Sequence, residues 1–235
     1  METFEAITER HGVLRFRPDP VEPEKIEQVL RAAVAAPSAA NTQPWEFVVV
    51  TDPQLTKRVA HYLMEAQMTY VLNGMLELPE EFTDKLMSLY TEFDNAPCFI
   101  VFCLNQRVDL ASARWAQILR DWDMCAIGGA IANLMAMATD LGLGTRYFGG
   151  FVADNDAAPL KEMLGIPAHV EIVAATPLGY HDEPPKERPE QSLDVLVNYR
   201  RGDKYSLAGL LKGKLPFSTV THFDRYDDKT PIREG

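Results

Sequence analysis

Three polar side chains, Ser38, Asn41 and Gln43, stand close together in the run Ala35-Ala36-Pro37-Ser38-Ala39-Ala40-Asn41-Thr42-Gln43-Pro44. Their neighbours are small, so backbone there can come close to a flat ligand, while one hydroxyl and two amides supply donors and acceptors from a rigid turn. Near the N-terminus, Arg10-His11-Gly12-Val13-Leu14-Arg15-Phe16-Arg17 groups cationic side chains beside a glycine. Guanidinium groups match phosphate oxygens two at a time, and a glycine lets main-chain N–H groups reach the same anion. Lys186 and Arg188 add two cations on the proline-stiffened stretch Pro184-Pro185-Lys186-Glu187-Arg188-Pro189. A second glycine cluster, Gly142, Gly144, Gly149 and Gly150, implies main chain running close against a planar ligand or another helix. Taken alone, the basic run also reads as a solvated surface, and the Ser38 loop as an ordinary helix-to-strand connection.

Side-chain nucleophiles paired with a base are missing from the sequence. There is no G-x-S-x-G and no H-E-x-x-H, and His11, His61, His169, His181 and His222 are scattered without metal-ligand spacing. The glycine cluster follows a helical segment and enters a strand, the reverse of a dinucleotide-binding turn, and no Walker lysine accompanies it. For an enzyme, the absence of a nucleophile–base pattern places the reactive atom on a cofactor rather than on a side chain.

The elements that must position these groups follow from periodicity. Pro23 suits a helix N1 position, and Ile26, Val29, Leu30, Ala33 and Val34 recur at helical spacing. Trp45–Val50 is a strand, and Asp52-Pro53 opens the next helix. Residues 54–95 read as helical and rich in Met and aromatics, broken at Gly74 and Pro79. Phe99–Leu104 is a continuous apolar strand of the kind buried on both faces. Residues 111–141 form a helix apolar nearly all round, with Gly128-Gly129 allowing close packing and Gly142 as its cap, so it is expected in mid-core. Arg146–Val152 reads as a strand, Asp154 or Asn155 as the start of a helix stopping near Gly165, and Val170–Ala175 as another strand. The expected architecture is α+β, a central mixed sheet flanked by helices.

Composition narrows the class. The chain has 235 residues and a net charge of −11, which argues against a general nucleic-acid binder. Residues 200–235 hold eight Lys and Arg against five Asp and Glu, while the preceding 199 hold 15 against 29. A basic tail on an acidic body reads as a solvated arm or as a segment docking on the acidic body of a second subunit. The longest apolar segment, Met124–Ala138, is too short for a membrane span, and the N-terminus lacks the pattern of a signal peptide. Cys98, Cys103 and Cys125 sit among apolar neighbours and are expected to be reduced core residues, placing the chain in the cytoplasm.

Together these segments resemble the nitroreductase family of FMN-dependent oxidoreductases, over most of residues 4–199. The matching elements are Arg10-His11, Ala36-Pro37-Ser38 through Gln43-Pro44-Trp45, Ala96-Pro97, Ala130-Ile131-Ala132-Asn133-Leu134, Gly142-Leu143-Gly144-Thr145, Gly149-Gly150-Phe151, Leu164-Gly165-Ile166-Pro167 and Leu178-Gly179-Tyr180. Their order and spacing carry the likeness. The resemblance implies a homodimer with FMN at each of two subunit interfaces, a domain over residues 1–199, and a C-terminal extension, 200–235, wrapping the partner. It also implies electron transfer from NADH or NADPH to a small acceptor such as a nitroaromatic or quinone. Arg10, His11 and Gly12 would meet the FMN phosphate, and Lys186 and Arg188 would complete its cage. Ser38, Asn41 and Gln43 would meet the flavin and ribityl chain, and Gly149 and Gly150 the flavin N5 edge. Two departures stand out: Gly12 and Leu14 occupy places where the family usually has a hydroxyl and a basic residue, and no Lys or Arg lies between Val59 and Asp84. The departures motivate the alternative of a flavin-binding protein without turnover, and the sequence also leaves open a specialised relative carrying out reductive dehalogenation or flavin breakdown.

Overall fold

The computed structural model describes residues 1–72, 95–106, 112–149, 157–183 and 221–222. Its centre is β2 (Cys98–Leu104), the apolar run read as a doubly buried strand, and all seven residues are buried. β2 pairs on one side with β1 (Trp45–Val50), Val48 opposite Val101, and on the other with β4 (Glu171–Gly179), Ala175 opposite Val101. The two-residue β3 (Gly144–Thr145) closes the order β1-β2-β4-β3.

Helices cover both faces, which is why β2 has no polar position. Phe99, Val101 and Cys103 face one layer with Val59, Ala60 and Leu63 of α3 (Pro53–Leu72), whose Asp52 caps it by accepting from Gln54 and Leu55 N–H at 3.0 and 2.8 Å. Ile100, Phe102 and Leu104 face the other layer, with α2 (Pro23–Val34) and α4 (Ala113–Asp140). Burial pushes the Cys98 and Cys103 thiols up to about 12, so both act as small core hydrophobes. α1 (Thr3–Glu9) lies against α4, and α5 (Ala158–Leu164) ends at Gly165 with φ +67°.

The end of α4 is a Schellman turn: Gly142 at φ +72° donates to Thr139 O at 3.0 Å, and Leu143 N donates to Ala138 O at 2.8 Å. The chain then enters β3 at Gly144, two residues before the expected start at Arg146, and residues 150–152 of the expected Arg146–Val152 strand lie outside the described residues. Phe148 continues the line only as an isolated bridge to Ala175. The described strand pairs are all antiparallel, so among the described residues the mixed character of the sheet is confined to the parallel bridge Gly12–Thr145. Strand direction depends on where connecting helices return the chain, which an apolar run does not encode.

Two sequence expectations need correction. α4 is apolar nearly all round, yet Trp115 and Trp122 are more than half exposed and a methyl added at Gly128 would meet nothing within 4 Å. One side of α4 packs on α2 and the sheet, and the other is open in the single chain. Cys125 lies on that open side and is exposed, not a core residue.

Phe102 is fully buried between β1, β4 and the α2–α4 layer. Phe102→Ala is expected to lower unfolding free energy by about 3–5 kcal/mol, measured by chemical denaturation, because the site cannot collapse around the lost ring.

Candidate active site

The Ser38 loop is built from strained backbone. After α2 ends, a short 3-10 turn spans Ala39–Asn41, and Ala40, Asn41 and Gln43 all have left-handed φ, at 49°, 56° and 46°. Each non-glycine residue in that region costs on the order of 1 kcal/mol or more, so such a turn persists only where its surroundings fix it. Here Ser38 Oγ accepts from Gln43 N–H at 3.0 Å, and Ser38 O accepts from Asn41 N–H at 3.1 Å. Thr42 Oγ1 donates to Asp123 Oδ1 of α4 at 2.8 Å, and Asp123 is 1% exposed. The loop therefore presents Ser38, Asn41 and Gln43 from one turn, as its composition suggests, and Ser38 keeps its own hydroxyl proton for an outside acceptor.

The N-terminal basic segment lies alongside β3 and the end of β4, joined to β3 by an isolated parallel bridge from Gly12 to Thr145. Val13 N donates to Thr145 O at 3.0 Å and Arg17 N to Tyr180 O at 2.8 Å. Between them, Glu183 Oε1 accepts from both Leu14 and Arg15 N–H at 2.7 Å. Arg10 and His11 face different hollows. Arg10, half-buried, lines a hollow of about 530 Å³ with Ile7, Gly128, Ile131, Ala132 and Tyr147. His11 is 8% exposed and lines a different hollow, of about 260 Å³, with His181 and Thr145. Its Nδ1 lies 3.1 Å from Glu9 O, and its ring meets His181 edge-on at 5.5 Å. His11 Nε2, Thr145 Oγ1 and His181 Nδ1 are buried without a hydrogen-bond partner. Gly12 sits between these faces, where an added methyl would first meet Arg146 Cγ at 3.8 Å.

Ser38 borders a third hollow, of about 500 Å³, with Pro37, Ala39, Trp122, Cys125 and Gly129. Both larger hollows lie on α4, one beside Gly128 and Ile131, the other beside Cys125 and Gly129. Within one chain the structure thus brings Ser38, Asn41 and Gln43 together but leaves Arg10 in a separate hollow. Gly149 stands next to the Arg10 hollow, because a methyl on it would lie 2.9 Å from the ring of Tyr147. Gly150, Lys186 and Arg188 lie outside the described residues, as does, apart from 221–222, the segment 200–235. Among the described residues no cluster of His, Cys, Asp and Glu could hold a metal ion, and no helix is long and apolar enough to cross a membrane.

Sequence reasoning missed Tyr147, Trp122, His181 and the Thr42–Asp123 pair. Tyr147 had a signal: Arg146-Tyr147-Phe148 alternates, and with Phe148 buried at the sheet, Tyr147 must turn outward. The other three depend on contacts between distant segments.

A profile described as the Nitroreductase family matches residues 7–180. The NADH dehydrogenase of Thermus thermophilus is 30% identical over 186 residues, covering 76% of this chain and 86% of that protein. Iodotyrosine deiodinase 1 of Rattus norvegicus is 27% identical over 184 residues, covering 76% of this chain and 62% of its own length. The solved NADPH:FMN oxidoreductase of Vibrio harveyi, in complex with NAD+, superposes with a TM-score of 0.63 over 96% of this chain and 78% of that one. At 22% identity that superposition shows a shared fold.

Two expectations follow from the His11 side of the strand. A methyl at Gly144 would lie 2.6 Å from Val13 Cγ2 and 2.7 Å from His181 Cδ2. Gly144→Ala is therefore expected to cost about 1–3 kcal/mol in denaturant unfolding by forcing the strand off β3. Burial, reinforced by neighbouring His11, holds the His181 imidazole below its usual value of 6.5. A lowered histidine pKa means the unfolded chain takes up the proton first. Its stabilising contribution is complete above about pH 6.5 and is lost as pH falls from there through the lowered folded value. Denaturation midpoints measured between about pH 7.5 and pH 5 should fall more steeply for the natural chain than for His181→Asn.

Proposed function

The chain belongs to the nitroreductase family, and on that premise we propose that it is an FMN-dependent oxidoreductase, taking electrons from NADH or NADPH and delivering them to a small, electron-poor aromatic acceptor such as a nitroaromatic or quinone. The observation that carries this reading is the half-buried Arg10 at the edge of a largely apolar hollow of about 530 Å³, floored by Gly128, Ile131 and Ala132. That size lies in the range of small-molecule sites, and the pairing of a cation with a largely apolar lining fits an apolar ring system ending in a phosphate. FMN bound there would supply the two-electron chemistry for which the protein has no side chain.

Arg10, with the main chain of His11 and Gly12, would hold the phosphate together with Lys186 and Arg188, since a dianion drawn from water needs several charge-assisted bonds. Ser38, Asn41 and Gln43 would hydrogen-bond the ring and ribityl edges, Ser38 through its remaining proton. The main chain at Gly149 and Gly150 would border the reactive edge. Tyr147 and Trp122, exposed by 56% and 51%, would exclude water once covered. Because Arg10 and Ser38 line separate hollows along one open side of α4, we place the complete site between two copies, Arg10 from one protomer facing the Ser38 loop of its partner. Residues 1–199 would form the body, with 200–235 as an arm across the partner. The cytoplasm suits a chain whose Cys98, Cys103 and Cys125 are free thiols.

A second reading, reductive dehalogenation of a halogenated phenol, is favoured by the similarity to iodotyrosine deiodinase 1. A product screen on nitroaromatics, quinones and halogenated phenols separates the two.

Purified protein is expected to be yellow, dimeric, and bleached by NADH or NADPH without air; failure to bind FMN on titration would end the reading. Flavin bound without consumption of reduced nicotinamide would instead identify a binding protein without turnover. Arg10→Ala should weaken FMN binding by about 1.5–3 kcal/mol, the scale of one hydrogen bond to a charged group, read by flavin fluorescence titration. Deleting residues 200–235 should impair dimerisation and FMN retention together, and a flavin-loaded monomer after truncation would contradict the assignment.

A further inference from the structure

The Ser38–Gln43 turn carries three left-handed residues without a glycine among them, so something outside the turn must hold it. Its internal bonds, Gln43 N–H to Ser38 Oγ and Asn41 N–H to Ser38 O, close the turn on itself but do not orient it. A bond that ties a side chain of the turn to the core of the fold is Thr42 Oγ1 to Asp123 Oδ1, at 2.8 Å. Asp123 belongs to α4, flanked by Trp122 and followed by Cys125, both of which border the hollow beside Ser38. Asp123 itself turns inward and is 1% exposed. A buried carboxylate is a poor stabiliser compared with an apolar residue of similar size, and its best-attested use is to specify one arrangement among several.

We infer that Asp123 is a positioning residue: by accepting from Thr42 it locks the left-handed turn so that Ser38, Asn41 and Gln43 present their polar atoms together. The inference rests on the reading that this turn receives the flavin, and adds to it a residue that touches neither flavin nor substrate. The same contact makes helix α4 the common base of both larger hollows. The Arg10 floor (Gly128, Ile131) and the Ser38 turn are then fixed to one rigid element, at a spacing set by the helix itself.

Four variants test this in the full-length protein: Thr42→Val, Thr42→Ser, Asp123→Ala and Asp123→Asn. Serine keeps the donor and asparagine keeps an acceptor, so both should bind FMN within about threefold of the natural chain. Valine and alanine should weaken FMN binding about tenfold or more, the scale of a lost hydrogen bond to a charged acceptor. The double variant Thr42→Val/Asp123→Ala should be no weaker than the worse single one, since both remove the same bond. In the flavin-free protein, amide hydrogen exchange at Gln43, whose N–H is bonded to Ser38 Oγ, should accelerate in Thr42→Val and not in Thr42→Ser. A folded Thr42→Val protein with unchanged exchange at Gln43 and unchanged FMN affinity would overturn the inference, as would additive losses in the double variant. A natural chain that takes up no FMN would defeat the flavin reading itself, and with it the inference, an outcome separate from the variant comparison.

Discussion

The main-chain bonds that bind residues 13–17 to the far end of the sheet are the constraint on which the site depends. Val13 to Thr145, Arg17 to Tyr180, and the paired N–H groups of Leu14 and Arg15 on the Glu183 carboxylate join the start of the chain to segments well over a hundred residues later. With that strip in place, Arg10 falls on the α4 side, and His11 and Val13 on the β3 side. Gly144 and Gly179 belong to the same constraint, since a methyl at Gly179 would lie 2.7 Å from Pro97 Cδ and 3.1 Å from Phe16 Cδ1. Those glycines are close-approach points for the strip.

α4 is the second organising element, and its two sides do different work. One side, through Ile127, Ala130, Leu134 and Ala138, is core against α2 and the sheet. The other carries Trp122, Cys125 and Gly128 and borders both larger hollows. Arg120, bonded through Nε and one terminal guanidinium nitrogen to the two Glu171 carboxylate oxygens, fixes the helix to the start of β4. A helix with so many apolar residues is consistent with burial on both sides, one by the chain itself and one by whatever covers the hollows.

Local signals were legible wherever the physics is local. Trp45–Val50 emerges with its predicted bounds because five β-branched or aromatic residues, interrupted only by Glu46, sit between Pro44 and a helix cap. Gly142 and Gly165 take the left-handed conformations that end their helices. The polar turn at Ser38 was visible from composition, but its left-handed Ala40 and Gln43 were not, because alanine and glutamine adopt that conformation only when a distant group such as Asp123 holds them. The burial of α4 was overstated because an apolar surface covered within one chain and one left open look identical in sequence. Arg10 and His11 read as one cationic pair, and only the strand pairing reveals that they face apart.

The doubly buried β2 also shapes how this protein must be made. Val101 pairs with Val48 before it and Ala175 after it, so on the ribosome the strand has one neighbour available and must wait for the other until most of the chain has emerged. Cys-Phe-Ile-Val-Phe-Cys-Leu has no charge, no proline and strong sheet propensity, the type of segment that joins copies of itself when left uncovered. Slower synthesis would lengthen that interval, whereas cooling weakens the hydrophobic attraction that drives self-association. The interval before β4 pairs with β2 is thus the one in which this segment is open to self-association.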